Sequence, residues 1–143
     1  MPQTIKILHF SPTGGTRRVA LLLAKGIAPN VREYDLCDPQ AEPTVFHPDD
    51  VALVAGPAYG GRLPAMMTGR LKKWQGNGAR AVAAAVYGGR AYEDTLCLLY
   101  TSVQWSHTKS EPLCTQSTVA HMVMKITSCN RVQCQRMQLC CGG

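Results

Sequence analysis

What the sequence lacks narrows it first. No apolar run among its 143 residues approaches the roughly 20 residues of a membrane-spanning helix. The opening "MPQTIKILHF" has neither the basic stretch nor the small-residue cleavage site of a secretory signal. A cytoplasmic protein with no membrane partner is therefore expected. There is no low-complexity tract, and 45% hydrophobic with 17% charged residues is ordinary globular composition, enough for one domain and one core. The net charge of +6 raises a nucleic-acid partner. The basic residues are scattered, however, and their one cluster, "GRLKKW" (69–74), reads as a solvated helix face. Nucleic acid is not expected.

Metal-ligand spacing is also missing. Of seven cysteines only Cys37 precedes residue 97, and the rest are Cys97, Cys114, Cys129, Cys134, Cys140 and Cys141. An odd count without a secretion signal argues against a disulfide framework. No C-x₂-C pair occurs, which removes the iron–sulfur spacing of ferredoxins. His107 and His121 fall outside any paired-cysteine zinc pattern. No metal is assigned. Cys37 reads as a packed small residue, and His9 and His47 as structural or solvated groups.

What is present, from residue 1 to 96, is regular alternation. "TIKILHF" (4–10) is a β-branched apolar strand, and "RRVALLLAKGI" (17–27) a helix with Val19, Leu22, Leu23 and Ile27 as its expected buried stripe. "VREYDL" (31–36) is a second strand, followed by the Pro- and Asp-rich connection 38–50. "VALVAG" (51–56) is an unbroken apolar run, the mark of a strand covered on both faces. "AMMTGRLKKWQ" (65–75) is a helix, "RAVAAAV" (80–86) a fourth strand, and Leu96, Leu99, Tyr100 and Val103 keep helical spacing beyond it. Such alternation implies an α/β doubly wound parallel sheet in three layers. Ligands of these sheets bind where loops leave the carboxyl ends of the strands. Three glycine-containing loops leave at that edge: "SPTGGT" (11–16), "PAYGGRLP" (57–64) and "YGGRAYED" (87–94).

After residue 97 the pattern fades. The segment has one acidic residue, Glu111, against four basic ones, and no glycine before the final pair. Only "TVAHMVMKI" (118–126) reads as a strand. The junction "CLLYTS" resembles a translated sequencing adapter. The expectation is an incomplete domain over 1–96, truncated after its fourth strand, and a cysteine-rich tail over 97–143 that is foreign or poorly ordered. The source DNA across codon 97 in an independent clone tests this, and finding the same tail there would remove the idea.

The first loop can hold a phosphate. A helix N-terminus after a strand offers free N–H groups and the positive end of the dipole. Gly14 and Gly15 permit close backbone approach, and Ser11, Thr13 and Thr16 add hydroxyls. No lysine follows as in the Walker loop, and G-x-G-x-x-G is not matched. An ordinary strand-to-helix turn with Thr16 as N-cap fits the same residues.

"SPTGGT", "PAYGGRLP" and "YGGRAYED", in this order over residues 4–96, resemble the flavin loops of flavodoxins, above all those of anaerobic bacteria and archaea, some fused to a ferredoxin module. The resemblance implies a flavodoxin-like fold and FMN as cofactor. It places Ser11, Thr13, Gly14, Gly15 and Thr16 at the phosphate. Pro57, Ala58, Tyr59, Gly60 and Gly61 would form the first ring loop, with Tyr59 stacking on the isoalloxazine and a glycine carbonyl facing its N5. Tyr87, Gly88, Gly89, Arg90 and Tyr92 would line the second. It further implies electron transfer through oxidised, semiquinone and hydroquinone FMN, with a ferredoxin-like or reductase redox partner. An FMN-dependent quinone or flavin reductase, a phosphate- or nucleotide-binding module without redox role, and an inactive fragment are the alternatives. One departure stands out: acidic flavodoxins place carboxylates around the ring, whereas here Arg62 and Arg90 accompany Glu93 and Asp94. Positive charge near N1 favours the anionic reduced flavin and a less negative potential.

Overall fold

A computed structural model of the chain describes residues 3–77 and 79–87, together with the backbone of two later strands, 119–126 and 132–139. In chain order the elements are β1 (Thr4–His9), α1 (Gly15–Ile27), β2 (Asn30–Asp35), β3 (Val51–Pro57), α2 (Ala65–Leu71), β4 (Arg80–Tyr87), β5 (Val119–Ile126) and β6 (Val132–Leu139). They form a six-stranded sheet in the order β2-β1-β3-β4-β5-β6. β2 through β5 are parallel to their neighbours, and β6 runs antiparallel to β5. β5 is the segment that the sequence offers as a strand. It lies along β4 from Ala81↔Val119 to Tyr87↔Lys125, so the apolar flank of β4 is paired.

Period-two alternation on β1 divides its side chains between two layers. Ile5 and Ile7 join Ala20, Ala24, Leu53 and Ala55 under α1. Leu8 and Phe10 join Val54, Met67, Leu71 and Trp74 under α2. Every residue of β3 is buried, as an unbroken apolar run requires when helices cover both faces. Each large aliphatic side chain sequestered here contributes about 2 kcal/mol.

Two expectations are corrected. The buried stripe of α1 is Thr16, Val19, Ala20 and Ala24, and Leu22 is 55% exposed. Alanines at 20 and 24 let the helix lie close to the sheet, which rotates Leu22 outward, while Leu23 and Ile27 remain partly buried at the margin. The second helix closes earlier than its pattern suggests, at Leu71. Trp74 then folds under from the following turn to meet Tyr34 and Phe46 edge-on.

Gly56 is fixed by crowding. A Cβ there would stand 2.5 Å from Leu63 Cδ1 and 2.7 Å from Met67 Sδ, so any larger residue would require the ends of these two side chains to shift.

Among the described residues, one lysine lies inside the core. Lys6, 8% exposed, donates to Asp50 Oδ2 at 2.6 Å and to the Val45 carbonyl at 3.2 Å, with its ammonium 4.9 Å from the Phe46 ring centroid. These contacts tie the long 38–50 connection to the base of β1. Burial pushes the Asp50 carboxyl up, but the Lys6 ammonium and the His47 N–H outweigh it and hold the group below its ordinary value. A carboxyl depressed in the folded state stabilises above its unfolded value, and that stabilisation is lost as pH falls through the folded value. The urea midpoint of the wild-type chain should therefore fall more steeply with acidification than that of Asp50→Asn. Parallel curves would show that the pair does not contribute.

Candidate functional site

Because β1, β3 and β4 are parallel, the chain leaves all three at one edge, and short hydrogen bonds knit those exits together. The Phe10 N–H donates to the Ala55 carbonyl at 3.1 Å, the Leu36 N–H to the His9 carbonyl at 2.8 Å, and the Ala58 N–H to the Val86 carbonyl at 2.9 Å. The last bond sets the loop after β3 against the end of β4, where Tyr87 is buried.

The loop after β1 is a turn closed by the Gly14 N–H on the Ser11 carbonyl at 3.3 Å. Gly14 has φ +88° and is the N-cap of α1, a left-handed conformation that costs an L-residue with a side chain roughly 1–2 kcal/mol. The helix thus begins one residue before Thr16, which is buried in the first turn rather than capping it. Ser11 takes the capping role: its Oγ accepts from the Arg17 N–H at 3.0 Å and keeps its own proton to donate. The first main-chain bond of the helix runs from the Arg18 N–H to the Gly14 carbonyl, so the amides of Gly15 and Thr16 have no intrahelical acceptor. Thr13 and Gly14 are exposed at the mouth, and a Cβ at Gly14 would meet nothing within 4 Å. This open cradle of donors at the positive end of a helix dipole fits a phosphate.

The loop after β3 is a tight hairpin. Tyr59 and Arg62 form an isolated antiparallel bridge, with N–H···O distances of 2.9 and 3.2 Å. Gly60 at φ +59° and Gly61 at φ +78° turn the corner, and two successive positive φ values are those of a type I′ turn. Pro57 ends β3 in the core, Ala58 is half-buried, and the hairpin holds Tyr59 out with 52% of its surface exposed. Tyr59 is therefore a presented aromatic, not a packed one. Gly88, Gly89, Arg90 and Tyr92 lie outside the described residues.

A charged cluster that the sequence reading did not assemble sits beside the first loop. Arg17 grips Glu33 with both arms, Nε to Oε2 at 2.7 Å and an Nη to Oε1 at 3.0 Å. That guanidinium holds the Glu33 carboxyl below its ordinary value against the opposing effect of burial. The same carboxylate meets His9 Nε2 at 3.2 Å. The clue was the alternation of β1, which puts His9 on the Ile5–Ile7 face; its partners come from β2, beyond the reach of any local motif. Cys37 lies near the Ser11 main chain, and burial pushes its thiol up, in keeping with a packed and unreactive group. Among the described residues no group of histidines, cysteines and carboxylates could hold a metal, and no helix is long and apolar enough to cross a membrane.

No protein-family model matches the chain, and no curated protein matches it by sequence. Solved structures do. A candidate flavoprotein from Bacteroides uniformis aligns over 90% of this chain and 92% of its own, at 12% identity and a TM-score of 0.56. Its agreement joins the parallel order β2-β1-β3-β4-β5, the order of flavodoxin-like sheets. The fold is flavodoxin-like. A Streptococcus pneumonia flavodoxin aligns at 26% identity over 59% of this chain, with a TM-score of 0.42; the chain spans 62% of that protein's length. A flavodoxin from the domain Archaea aligns at 14% identity over 90% of this chain and 88% of its own, with a TM-score of 0.49.

In this flavodoxin-like sheet the first loop depends on a glycine for its backbone alone. Gly14→Ala should lower the stability to urea by about 1 kcal/mol, and Gly14→Asn, whose side chain tolerates the left-handed region, should lower it less. Equal losses in both would mean that the loop relaxes out of its left-handed turn.

Proposed function

We propose that the chain is an FMN-binding domain that transfers electrons. The observation that carries this is the meeting, at one sheet edge, of an open cradle of amide and hydroxyl donors at 11–16 and an exposed aromatic on a bridged two-glycine hairpin at 59–62, on the exits of adjacent strands. FMN supplies one- and two-electron redox chemistry when bound. The amides of Gly15 and Thr16 and the hydroxyls of Ser11 and Thr13 bind its phosphate. That this loop has no lysine suits a single phosphate held by amides and hydroxyls rather than a triphosphate chain. Tyr59 offers a flat apolar face to the ring. The Gly60–Gly61 peptide, free of Cβ atoms, can turn a carbonyl toward a protonated ring nitrogen at little cost. Arg62 places positive charge at the same loop. A protein redox partner, ferredoxin-like or a reductase, follows as part of this proposal.

The purified chain should bind FMN, show the flavin absorbance bands and release FMN on denaturation. A colourless protein that binds nucleotide phosphates but not FMN would overturn the reading. With FMN bound, Arg62→Glu should shift the more negative of the two reduction potentials further down, because it replaces a charge that favours the anionic reduced ring with one that opposes it. An unchanged potential in a redox titration would sink the charge argument.

A further inference from the structure

His9 is 2% exposed and lies between two carboxylates of β2. Its Nε2 is 3.2 Å from Glu33 Oε2, and its Nδ1 is 3.8 Å from Asp35 Oδ1. Nδ1 is the one buried side-chain nitrogen or oxygen among the described residues without a hydrogen-bond partner. Asp35 Oδ1 is held in place by the Cys37 N–H at 2.8 Å. In the neutral ring with its proton on Nε2, donating to Glu33, the lone pair of Nδ1 therefore faces a fixed carboxylate oxygen. A second proton, on Nδ1, would turn that opposition into an ion pair.

Among the described residues, the other elements packed against His9 bring one more charge. α1 supplies Arg17, bound to Glu33, and β3 supplies Ala55, its apolar register partner. Two carboxylates and one guanidinium leave a net charge of minus one while the imidazole is neutral, and none when it is protonated. This cluster is joined to the phosphate loop at two points. His9 stands two residues before Ser11 on the same strand exit. Arg17 also donates its main-chain N–H to Ser11 Oγ while its side chain holds Glu33.

We propose that His9 is a proton-linked positioning residue for the phosphate loop: binding a phosphate monoester dianion at 11–16 draws one proton from solvent onto His9 Nδ1. The added proton cancels the net negative charge of the cluster beside the loop and turns the opposition of Nδ1 and Asp35 Oδ1 into an attraction. The inference rests on the reading of loop 11–16 as a phosphate cradle. Affinity for the dianion is then highest on the acidic side and declines as pH rises, by up to about tenfold per unit.

The experiment is calorimetric titration of the full chain with FMN in two buffers of different ionisation enthalpy. It is run above about pH 7, where a phosphate monoester has completed its second ionisation near about 6. The buffer difference should reveal proton uptake for FMN but none for riboflavin, which lacks the phosphate. His9→Gln, which still reaches Glu33, should bind FMN without uptake and with a flat pH profile. Nitrogen NMR of the wild-type imidazoles needs no variant: the His9 ring should move to its doubly protonated pattern on adding FMN. FMN binding without proton uptake, or with equal uptake in His9→Gln, overturns this inference and leaves the FMN reading standing. Absence of FMN binding at every pH overturns both.

Discussion

Everything at the candidate site depends on the parallel pairing of β1, β3 and β4. Parallel neighbours cannot be joined by a hairpin, so the chain must cross back over a face between them. That puts helices on both sides and every strand exit at the same edge. The central strands must then be apolar on both faces, which β3 obeys without exception and the buried positions of β1 obey except at Lys6 and His9. These two exceptions sit toward opposite ends of β1. Lys6 faces the α2 layer and ties down a long connection with Asp50. His9 faces the α1 layer at the carboxyl edge of the sheet, between carboxylates. The same strand thus carries one ion pair with a structural task and one buried imidazole beside the loop at 11–16.

Much of the fold was legible in the residues because burial and chain path are written in local patterns. The apolar run 51–56, the alanine-rich run 80–86 and the punctuating glycine loops lead directly to strands and their exits. Errors arose where packing distance decides. Leu22 has the periodicity of a core residue but is displaced by alanines that bring α1 closer to the sheet. Trp74 belongs to the core from a turn, where no helical spacing announces it. The early stop of α2 belongs to the same failure, since the sequence "KKWQ" keeps helical propensity while Trp74 is drawn under the sheet margin.

The site was legible in parts. Loop residues with special backbone needs declare themselves, and Gly14, Gly60 and Gly61 all adopt positive φ. The division of work among the hydroxyls does not. Ser11, not Thr16, caps the helix, because the left-handed Gly14 moves the start of α1 forward by a turn position. The Arg17–Glu33–His9 cluster was invisible for a plainer reason: it joins a helix, an edge strand and a central strand, and only the register of β1 with β2 brings them together.

The Gly60–Gly61 hairpin has a geometric consequence of its own. A two-residue loop bounded by a single bridged pair acts as a ruler: it fixes how far the aromatic at 59 stands from the sheet edge and which way it faces. Lengthening such a turn by one residue would change its type and reverse the side on which the flanking residues emerge. Reach and handedness of the aromatic are therefore set by loop length before side-chain identity matters. Change at this rim is confined to exchanging residues in place, while the connection at 38–50 can vary in length only over its exposed first part, before Val45, Phe46 and Asp50 anchor it to β1 and the core.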